Sequence, residues 1–292
     1  MSDIRDRAIQ IYDAFTHEHR NRRTLLRQMA VLAGSTAAAE ILIAGIAASP
    51  AAAAITDPAD PRLAIRKESY PVGPGKSLTG YVAEPKDHRN KIGVVMVIHE
   101  NRGLTPHIED VARRVALAGF LAIAPDFLSD QGGTPADENA ARALIAKVDY
   151  PAIIAEAIGT IGWARGLSQG NGKVGAIGFC WGGALVNRVA IAAGDALAAG
   201  VAYYGPAPDP GEAAKVHAAL LLHYAGKDTR VNATGGPWTE ALKTAGKDVQ
   251  AHIYEGVDHA FNNDTSAARY NEAAAKLAWD RTIAFLKAHL GS

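Results

Sequence analysis

The sequence predicts an α/β domain in which helices cover both faces of a mostly parallel central sheet, preceded by an N-terminal helical or signal-like segment. Two observations lead to this prediction. Continuous apolar runs rich in β-branched residues, at 92–98 and 174–179, are typical of strands buried on both faces. Segments with helical periodicity lie between such runs, and strands that alternate with helices form a parallel sheet.

The individual elements follow from the same patterns and from the signals at their ends. Pro106 is typical of the first turn of a helix and Gly119 of a helix end, which bounds one helix at 106–118. Turn residues at 71–76 precede the first predicted strand. The predicted strands are 78–82, 92–98, 121–124, 174–179, 199–204, 220–224 and 249–254, and the predicted helices are 106–118, 137–147, 151–164, 181–193, 237–245 and 267–289. In such a sheet the functional groups gather at the carboxyl ends of the strands.

The composition excludes several classes of protein. The 292 residues are 48% hydrophobic, enough for a substantial core, and 30 Lys and Arg balance 30 Asp and Glu. A balanced charge without a basic region does not suit binding to nucleic acid, so the predicted partner is a small molecule. A single cysteine excludes an intramolecular disulfide. The usual sequence motifs for zinc and for nucleotide phosphates are missing, so no metal or nucleotide is predicted.

Residues 1–60 differ in composition from the rest of the chain. Arg22 and Arg23 precede an alanine-rich apolar stretch at 29–54 that ends in four alanines, as in a twin-arginine export signal with a cleavage site. This pattern predicts a protein that is exported to the periplasm. Glu40 interrupts the apolar run, so a stable membrane span is not expected.

A second interpretation of this segment is a retained helix in a cytoplasmic protein. Apolar residues recur with helical spacing from Ile4 to Phe15, and the segment before the two arginines is long for a signal. Such a helix would pack on the domain or mediate self-association. A linker rich in Asp and Pro follows at 56–61. The predicted division is therefore an N-terminal segment at 1–60 and a catalytic domain at 61–292.

The turn after the predicted strand 174–179 carries the candidate nucleophile. Gly178, Cys180 and Gly182 form a G-x-C-x-G pattern, and a helix is predicted to follow at once. A turn of this kind needs small residues on both sides of the nucleophile, which lies at the apex in a strained backbone conformation. The positive end of the helix dipole favours a thiolate there. The alternative is a buried structural cysteine beside glycines that allow close packing of helix and strand.

Two later strand ends supply a candidate acid and a candidate base. Asp228 follows the strand 220–224, and His259 follows the strand 249–254. The order nucleophile, acid, base is that of α/β-hydrolase triads, in which the histidine moves the proton and the carboxylate fixes its tautomer. Asp258 competes for the acid role, but a neighbour in sequence rarely reaches the histidine ring. Taken singly, Asp228 could be a turn residue and His259 an ordinary loop histidine.

The loop after the strand 92–98 carries Glu100, Asn101 and Arg102. In α/β-hydrolases this loop supplies one backbone N–H of the oxyanion hole, which we assign to Asn101, and the N–H of Trp181 supplies the other. Glu100 is expected to point into the site, where a partly buried carboxyl could exchange a proton with the thiol. The alternative is a structural ion pair between Glu100 and Arg102.

Taken together, these residues resemble the dienelactone hydrolase family, the carboxymethylenebutenolidase-like proteins. The resemblance covers about residues 64–290. It rests on His-Glu-Asn-Arg-Gly at 99–103, Ala-Pro-Asp at 124–126, Gly-Phe-Cys-Trp-Gly-Gly at 178–183, Tyr-Tyr-Gly at 203–205, Gly-Lys-Asp at 226–228 and Val-Asp-His-Ala-Phe at 257–261. Residues 9–36 are also similar to the N-terminal segment of an exported-looking branch of this family.

The resemblance implies a single α/β-hydrolase domain without a cofactor. It implies a triad of Cys180, Asp228 and His259, with Glu100 beside the resting cysteine, that opens a lactone through a thioester. Candidate substrate-binding residues are Arg102, Arg142, Tyr204 and Phe261. One departure is that the family's arginine shortly after the catalytic histidine, which binds the substrate carboxylate, is missing from 260–264. Another ester or lactone therefore suits the site at least as well as the acidic dienelactone.

Three functions are compatible with these patterns. The leading prediction is a cysteine-dependent hydrolase of an ester or lactone. The same triad could act on other activated bonds, in acyl transfer or on phosphotriesters, because fold and triad do not fix the substrate. A non-catalytic binding protein would keep the pocket and lose a triad member, and none is missing. Either a monomer or a homodimer is expected.

Overall fold

A computed structural model describes residues 2–17, 20–47 and 55–291. The strands are β1 (Leu63–Gly73), β2 (Lys76–Pro85), β3 (Ile92–Ile98), β4 (Leu121–Pro125), β5 (Gly170–Phe179), β6 (Ala199–Tyr203), β7 (Ala219–Ala225) and β8 (Val249–Tyr254). They form one eight-stranded sheet in the order β1-β2-β4-β3-β5-β6-β7-β8. β2 runs antiparallel to β1 and β4, and all other neighbours are parallel. The predicted mostly parallel sheet is confirmed.

Helices cover both faces of this sheet, as predicted. The helices are α1 (Ser2–His17), α2 (Arg22–Ala33), α3 (Thr36–Ile46), α4 (Pro106–Leu117), α5 (Glu138–Ile145), α6 (Tyr150–Arg165), α7 (Trp181–Ala192), α8 (Thr229–Thr244) and α9 (Glu272–Leu290). α6, α7 and α8 pack on one face in a core that includes Ile161, Leu185 and Trp238. α4 and α9 pack on the other face, where Val111 and Leu286 are buried. Each face of the sheet is therefore closed to water by its own apolar layer.

The parallel register brings the carboxyl ends of four strands to one edge of the sheet. Phe179 of β5 pairs with Tyr203 of β6, which pairs with His223 of β7. His223 in turn pairs with His252 of β8. Loops that follow β5, β7 and β8 must therefore start close together, which is the physical reason why residues far apart in sequence meet there.

The first strand, β1, is not among the strands predicted from the sequence. β1 pairs antiparallel with β2 along its length, and the turn predicted at 71–76 is confined to the two residues between the strands. β1 lies at the edge of the sheet and carries charged residues such as Arg66, Lys67 and Glu68. Most of its side chains are partly exposed, so it lacks the continuous apolar run by which the inner strands were predicted.

Two helix boundaries also differ from the prediction. α8 starts at Thr229, where the Asp228 side chain accepts a hydrogen bond from the N–H of Val231, and Pro237 lies inside it. The predicted helix 237–245 begins at this proline. A proline within a helix removes one hydrogen bond but does not always end the helix. α9 starts at Glu272, capped by Asn271, rather than at 267. At both helix starts a side chain, that of Asp228 or Asn271, caps the first turn by accepting a backbone hydrogen bond.

The three N-terminal helices form a small core of their own. Ala8 and Ile9 of α1, Leu25 and Met29 of α2, and Ile46 of α3 are buried together. The predicted helical spacing from Ile4 to Phe15 falls within α1. The predicted cleavage stretch at 51–54 lies outside the described residues. No single described helix is long and apolar enough to span a membrane; only α2 and α3 together pass that test, with a bend of 108° between them.

Candidate active site

The turn between β5 and α7 holds Cys180 in a strained conformation. Cys180 has φ 55° and ψ −112°, outside the regions that side-chain-bearing residues favour. A Cβ on Gly178 would lie 2.2 Å from the carbonyl oxygen of Gly182, and a Cβ on Gly182 would lie 2.5 Å from that of His99. Both positions therefore need glycine, which explains the G-x-C-x-G pattern. The sulfur lies at the N-terminus of α7, at the carboxyl edge of the sheet.

The loops after β7 and β8 bring an acid and an imidazole to the same edge. Nδ1 of His259 lies 2.5 Å from Oδ2 of Asp228, and both side chains are buried. Nε2 of His259 has no hydrogen-bond partner among the residues that the structure describes. Asp258, the competing candidate acid, instead lies 3.9 Å from Nζ of Lys227. The structure thus brings Asp228, and not Asp258, onto the imidazole.

The buried charges determine the protonation of this pair. Burial disfavours a charged imidazole, but the carboxylate of Asp228 and the sulfur of Cys180 outweigh it and raise the pKa of His259 to about 10. Burial likewise opposes the charged form of Asp228, but the neighbouring His259 lowers the pKa of this carboxyl to about 2. At neutral pH Asp228 is therefore a carboxylate and His259 an imidazolium.

A second histidine reaches the sulfur from α1. Nε2 of His17 lies 3.1 Å from Sγ of Cys180, and the rings of His17 and His259 meet edge to face with their centroids 4.6 Å apart. Nδ1 of His17 lies 2.8 Å from the carbonyl oxygen of Asp13. Burial, followed by the charge of His259, holds the pKa of His17 well below its usual value. The His17 ring is therefore neutral beside a charged one.

Several polar contacts fix α1 against the loops of the site. Nδ2 of Asn101 donates to the carbonyl oxygen of Thr16 over 3.1 Å. Nη2 of Arg102 donates to the hydroxyl of Tyr12 over 3.3 Å. Nη1 of Arg269 donates to Oδ1 of Asp13 over 3.2 Å. Neither His17 nor Arg269 is among the residues predicted from the sequence. The helical spacing of α1 indicates a helix up to Phe15 but carries no information on what its C-terminal end contacts.

The carboxylate of Glu100 enters the site but is held by a side chain from the histidine loop. Nδ2 of Asn263 donates to Oε2 of Glu100 over 3.0 Å. Arg102 lies 3.4 Å from Glu138, and its pairing with Glu100, the alternative raised from sequence, is not among the ion pairs of the described residues. Glu100 borders a small void that Cys180 also lines.

A cavity of about 610 Å³ opens in front of the sulfur. It is lined by Cys180, Trp181 and residues of α1, α5 and α7. Arg142, a predicted substrate-binding residue, lies on this wall with its guanidinium 4.4 Å from the centroid of the Phe15 ring. Arg188 and Arg230 also border the cavity, which makes its wall cationic as well as apolar. Trp181 is the first residue of α7, where backbone N–H groups have no partner within the helix.

Two other predicted substrate-binding residues do not line the cavity. Tyr204 and Phe261 are fully buried, with ring centroids 5.6 Å apart. The ring of Tyr204 lies 5.0 Å from that of His259. Tyr204 therefore packs against the imidazole, and Phe261 packs against Tyr204. Arg102, the remaining candidate, is also buried and contacts α1 and Glu138 instead of the open cavity.

Comparison with known proteins identifies the family of this chain. The family model described as "Dienelactone hydrolase family" matches residues 78–290. The chain belongs to the dienelactone hydrolase family. A relative from Salmonella typhi, named "Putative carboxymethylenebutenolidase", is 32% identical over 252 residues, covering 81% of this chain and 92% of that protein. A relative of the same name from Yersinia pestis is 31% identical over 229 residues, covering 74% and 85%.

The fold of this chain is also similar to that of solved structures. A structure named "Putative Dienelactone Hydrolase", from Klebsiella pneumoniae, is 30% identical with a TM-score of 0.69, and covers 76% of this chain and 97% of that one. A thermostable esterase from Pseudomonas putida is only 16% identical, with a TM-score of 0.64, yet the match covers 96% of this chain and 97% of that one. The second likeness concerns the fold alone, and it extends beyond the part of the chain that the dienelactone hydrolase family model matches.

Proposed function

We propose that this dienelactone hydrolase family member hydrolyses a carboxylic ester or lactone, with Cys180 as the nucleophile, His259 as acid and base, and Asp228 as the residue that orients His259. The observation that carries the proposal is the hydrogen bond between Asp228 and the buried His259, with a ring nitrogen of His259 within 4.8 Å of Sγ of Cys180. The relatives named carboxymethylenebutenolidase support a lactone or an ester as substrate.

In the first half of the reaction the thiolate of Cys180 attacks the carbonyl carbon of the substrate. The carbon–sulfur bond forms as the carbonyl π electrons move onto oxygen, and the backbone N–H groups of Asn101 and Trp181 stabilise this oxyanion. As the tetrahedral species collapses, the bond to the leaving oxygen breaks. The imidazolium of His259 donates its Nε2 proton to that oxygen. The products are a thioester on Cys180 and an alcohol, which for a lactone stays attached to the acyl chain.

Water completes the reaction. His259 is now neutral, and its Nε2 accepts a proton from water as the water oxygen attacks the thioester carbonyl. Collapse of the second tetrahedral species releases the carboxylic acid and returns the thiolate beside the imidazolium. Asp228 keeps the proton on Nδ1 throughout, so that Nε2 is the nitrogen that gives and takes protons. We assign to Glu100, which borders the same small void as Cys180, the removal of a proton from any thiol form of the cysteine, which restores the thiolate.

The cavity in front of Cys180 supports a substrate with an anionic group. Its wall combines apolar side chains with the guanidinium groups of Arg142, Arg188 and Arg230. The family arginine that is missing from 260–264 is therefore not the only cation that could bind a carboxylate here. Guanidinium groups bind carboxylates through paired hydrogen bonds, which would hold the acyl chain with its carbonyl at the sulfur.

The first experiment compares hydrolysis of an aryl acetate by the wild type and by Cys180→Ala. We expect the variant to lose several orders of magnitude in rate, because the members of a triad act as a unit. The exposed His217 provides a control, and His217→Gln is expected to hydrolyse the ester at the wild-type rate. Equal rates for wild type and Cys180→Ala would exclude Cys180 as the nucleophile.

Intact-protein mass spectrometry in the same experiment separates the alternative functions. An acyl adduct on Cys180 that water removes supports a hydrolase. An adduct that only an added alcohol or amine removes supports acyl transfer. Turnover of a phosphotriester without turnover of carboxylic esters supports a phosphotriesterase. Binding without any adduct on Cys180 would leave a non-catalytic binding protein.

A further inference from the structure

Three side chains that are typical ligands of soft divalent cations converge at the candidate active site. One ring nitrogen of His17, one of His259 and Sγ of Cys180 all lie within 4.8 Å of one another. Zn²⁺ binds thiolate sulfur at about 2.3 Å and imidazole nitrogen at about 2.0–2.1 Å, with tetrahedral geometry. Ligand atoms of such a site are therefore about 3–4 Å apart. The present separations require only small side-chain adjustments to reach this geometry.

The contacts behind each imidazole engage Nδ1, so that Nε2 of His17 faces the sulfur of Cys180 and Nε2 of His259 has no partner among the described residues. Nδ1 of His259 lies 2.5 Å from Asp228, and Nδ1 of His17 lies 2.8 Å from the carbonyl oxygen of Asp13. Both acceptors hold a proton on Nδ1, so the lone pair of a neutral ring is on Nε2. Metal-binding histidines have this arrangement, in which a carboxylate or a carbonyl oxygen orients the ring. His259 is 3% exposed, and its Nε2 has no hydrogen-bond partner within the described part of the chain.

The space between these side chains suits a single small ion. A void of about 10 Å³ is lined by His17, Cys180 and His259 among others. This is about the smallest volume that holds one water molecule. The neighbouring cavity of about 610 Å³ shares His17 and Cys180 with the void and provides a path from solvent.

The charges around the void do not exclude a cation. Arg102 and Arg269 border it, but each faces an acidic side chain: Arg102 lies 3.4 Å from Glu138, and Arg269 lies 3.2 Å from Asp13. Glu100 also borders the void and places a carboxyl group beside it. A thiolate and two neutral imidazoles would then contribute one negative charge directly to the ion.

We propose that His17, Cys180 and His259 form a binding site for a soft divalent cation such as Zn²⁺, and that the bound ion blocks hydrolysis. The first part concerns binding alone, and the second rests on the proposed function. On binding, the proton of the thiol and any proton on either Nε2 leave to solvent, Zn²⁺ forms one bond to sulfur and two to nitrogen, and water takes the fourth position.

The bound ion would occupy both groups that the proposed reaction needs. The sulfur lone pair used for attack on the carbonyl carbon is then bonded to zinc, and Nε2 of His259 can no longer give or take a proton. Because His17 comes from α1, the site is complete only in a chain that keeps its N-terminal helix docked. The ion would also link α1 to the catalytic domain.

The test uses the full chain in thiol-free buffer, with Co²⁺ and Zn²⁺ as probes. Co²⁺ bound to a thiolate gives a charge-transfer absorption in the near ultraviolet, which reports binding without any activity. We expect this absorption in the wild type and its displacement by Zn²⁺. His17→Gln is expected to weaken Zn²⁺ binding by at least about 100-fold, since loss of even an outer-shell partner costs about 10–100-fold. Cys180→Ala is expected to lose the absorption entirely.

The control variant is His217→Gln, which alters an exposed histidine that pairs with Asp195 and lines neither the void nor the cavity. It is expected to bind Zn²⁺ like the wild type. Thermal unfolding of each apo-variant verifies the fold, and Cys180→Ala keeps α1 unchanged should His17→Gln fail to fold. In activity assays, Zn²⁺ should inhibit the wild type and His217→Gln at matching concentrations, and inhibition of His17→Gln should need at least about 100-fold more Zn²⁺.

The outcomes separate this proposal from the proposed function. Equal Zn²⁺ affinity in the wild type and His17→Gln, or an absorption that persists in Cys180→Ala, would overturn the metal site even if hydrolysis depends on Cys180. Tight binding that is lost in both His17→Gln and Cys180→Ala, in a protein that hydrolyses no ester, would keep the metal site and reject the proposed reaction. Tight binding without inhibition would reject the second part of the proposal.

Discussion

Nε2 of His17 lies 3.1 Å from Sγ of Cys180, although the two residues are 163 positions apart in the chain. The contact makes α1 a wall of the candidate active site, because Thr16, His17 and Phe15 all border the cavity in front of the sulfur. Any process that removes or displaces α1 would therefore change both the exposure of Cys180 and the shape of the cavity.

Asp228 and Asp258 form a matched pair for testing the acid of the triad. Asp228→Asn is expected to lower kcat by on the order of 10³–10⁴-fold, because an amide no longer fixes the proton on Nδ1 of His259. Asp258→Asn alters a neighbouring acid that faces Lys227 instead, and is expected to keep kcat within a factor of about three. Ester hydrolysis under saturating substrate measures both. A larger loss in Asp258→Asn than in Asp228→Asn would reverse the assignment.

The residues that follow strands were predictable, and those that depend on tertiary docking were not. Cys180, Asp228 and His259 each lie within five residues of the end of a strand, and parallel strands end at one edge of a sheet. His17 comes from a helix whose position depends on contacts such as that of Asp13 with Arg269. No local pattern specifies such contacts. The edge strand β1 was missed for a related reason, because half-exposed strands lack the apolar run of buried ones.

The buried imidazole of His259 makes the folded protein less stable as pH rises. The pKa of His259 is raised from its ordinary 6.5 to about 10 in the fold, so its protonation stabilises the fold fully below about pH 6.5 and this contribution is lost as pH rises to about 10. The free energy of unfolding of the wild type, relative to His259→Gln, should therefore fall by at least about 1 kcal/mol between these limits. Urea unfolding at several pH values measures it.

The control for this pH dependence is a histidine at the protein surface. His217→Gln removes an exposed histidine and should show a difference from the wild type that stays flat over the same range. If the difference between the wild type and His259→Gln is also flat, the ring of His259 is neutral in the folded wild type.

Asp228 acts in the opposite direction. Its pKa is lowered from 3.8 to about 2, so its contribution to stability is present above pH 3.8 and is lost as pH falls through 2.

Arg142 tests whether the cavity recognises an anionic substrate. Arg142→Gln is expected to raise KM for an ester with a terminal carboxylate by roughly 10- to 100-fold, since a hydrogen bond to a charged group contributes about 1.5–3 kcal/mol. KM for a neutral ester of the same length should change little. Arg165→Gln, at the exposed end of α6, is the control for loss of one positive charge. Equal effects of Arg142→Gln on both esters would point to a role in shaping the wall through Phe15.

The docking of α1 can be weakened at a residue that contacts neither Cys180 nor the cavity in front of it. Ile9 is 1% exposed in the small N-terminal core, whereas Ile4 on the same helix is 48% exposed. Ile9→Asp is expected to raise the rate at which iodoacetamide alkylates Cys180 by roughly 10- to 100-fold, because burial of an isoleucine contributes about 1.5–3 kcal/mol and His17 withdraws from the sulfur when α1 leaves. Ile4→Asp should react like the wild type. Mass spectrometry of the adduct gives the rates, and similar rates for all three proteins would show that α1 does not limit access to Cys180.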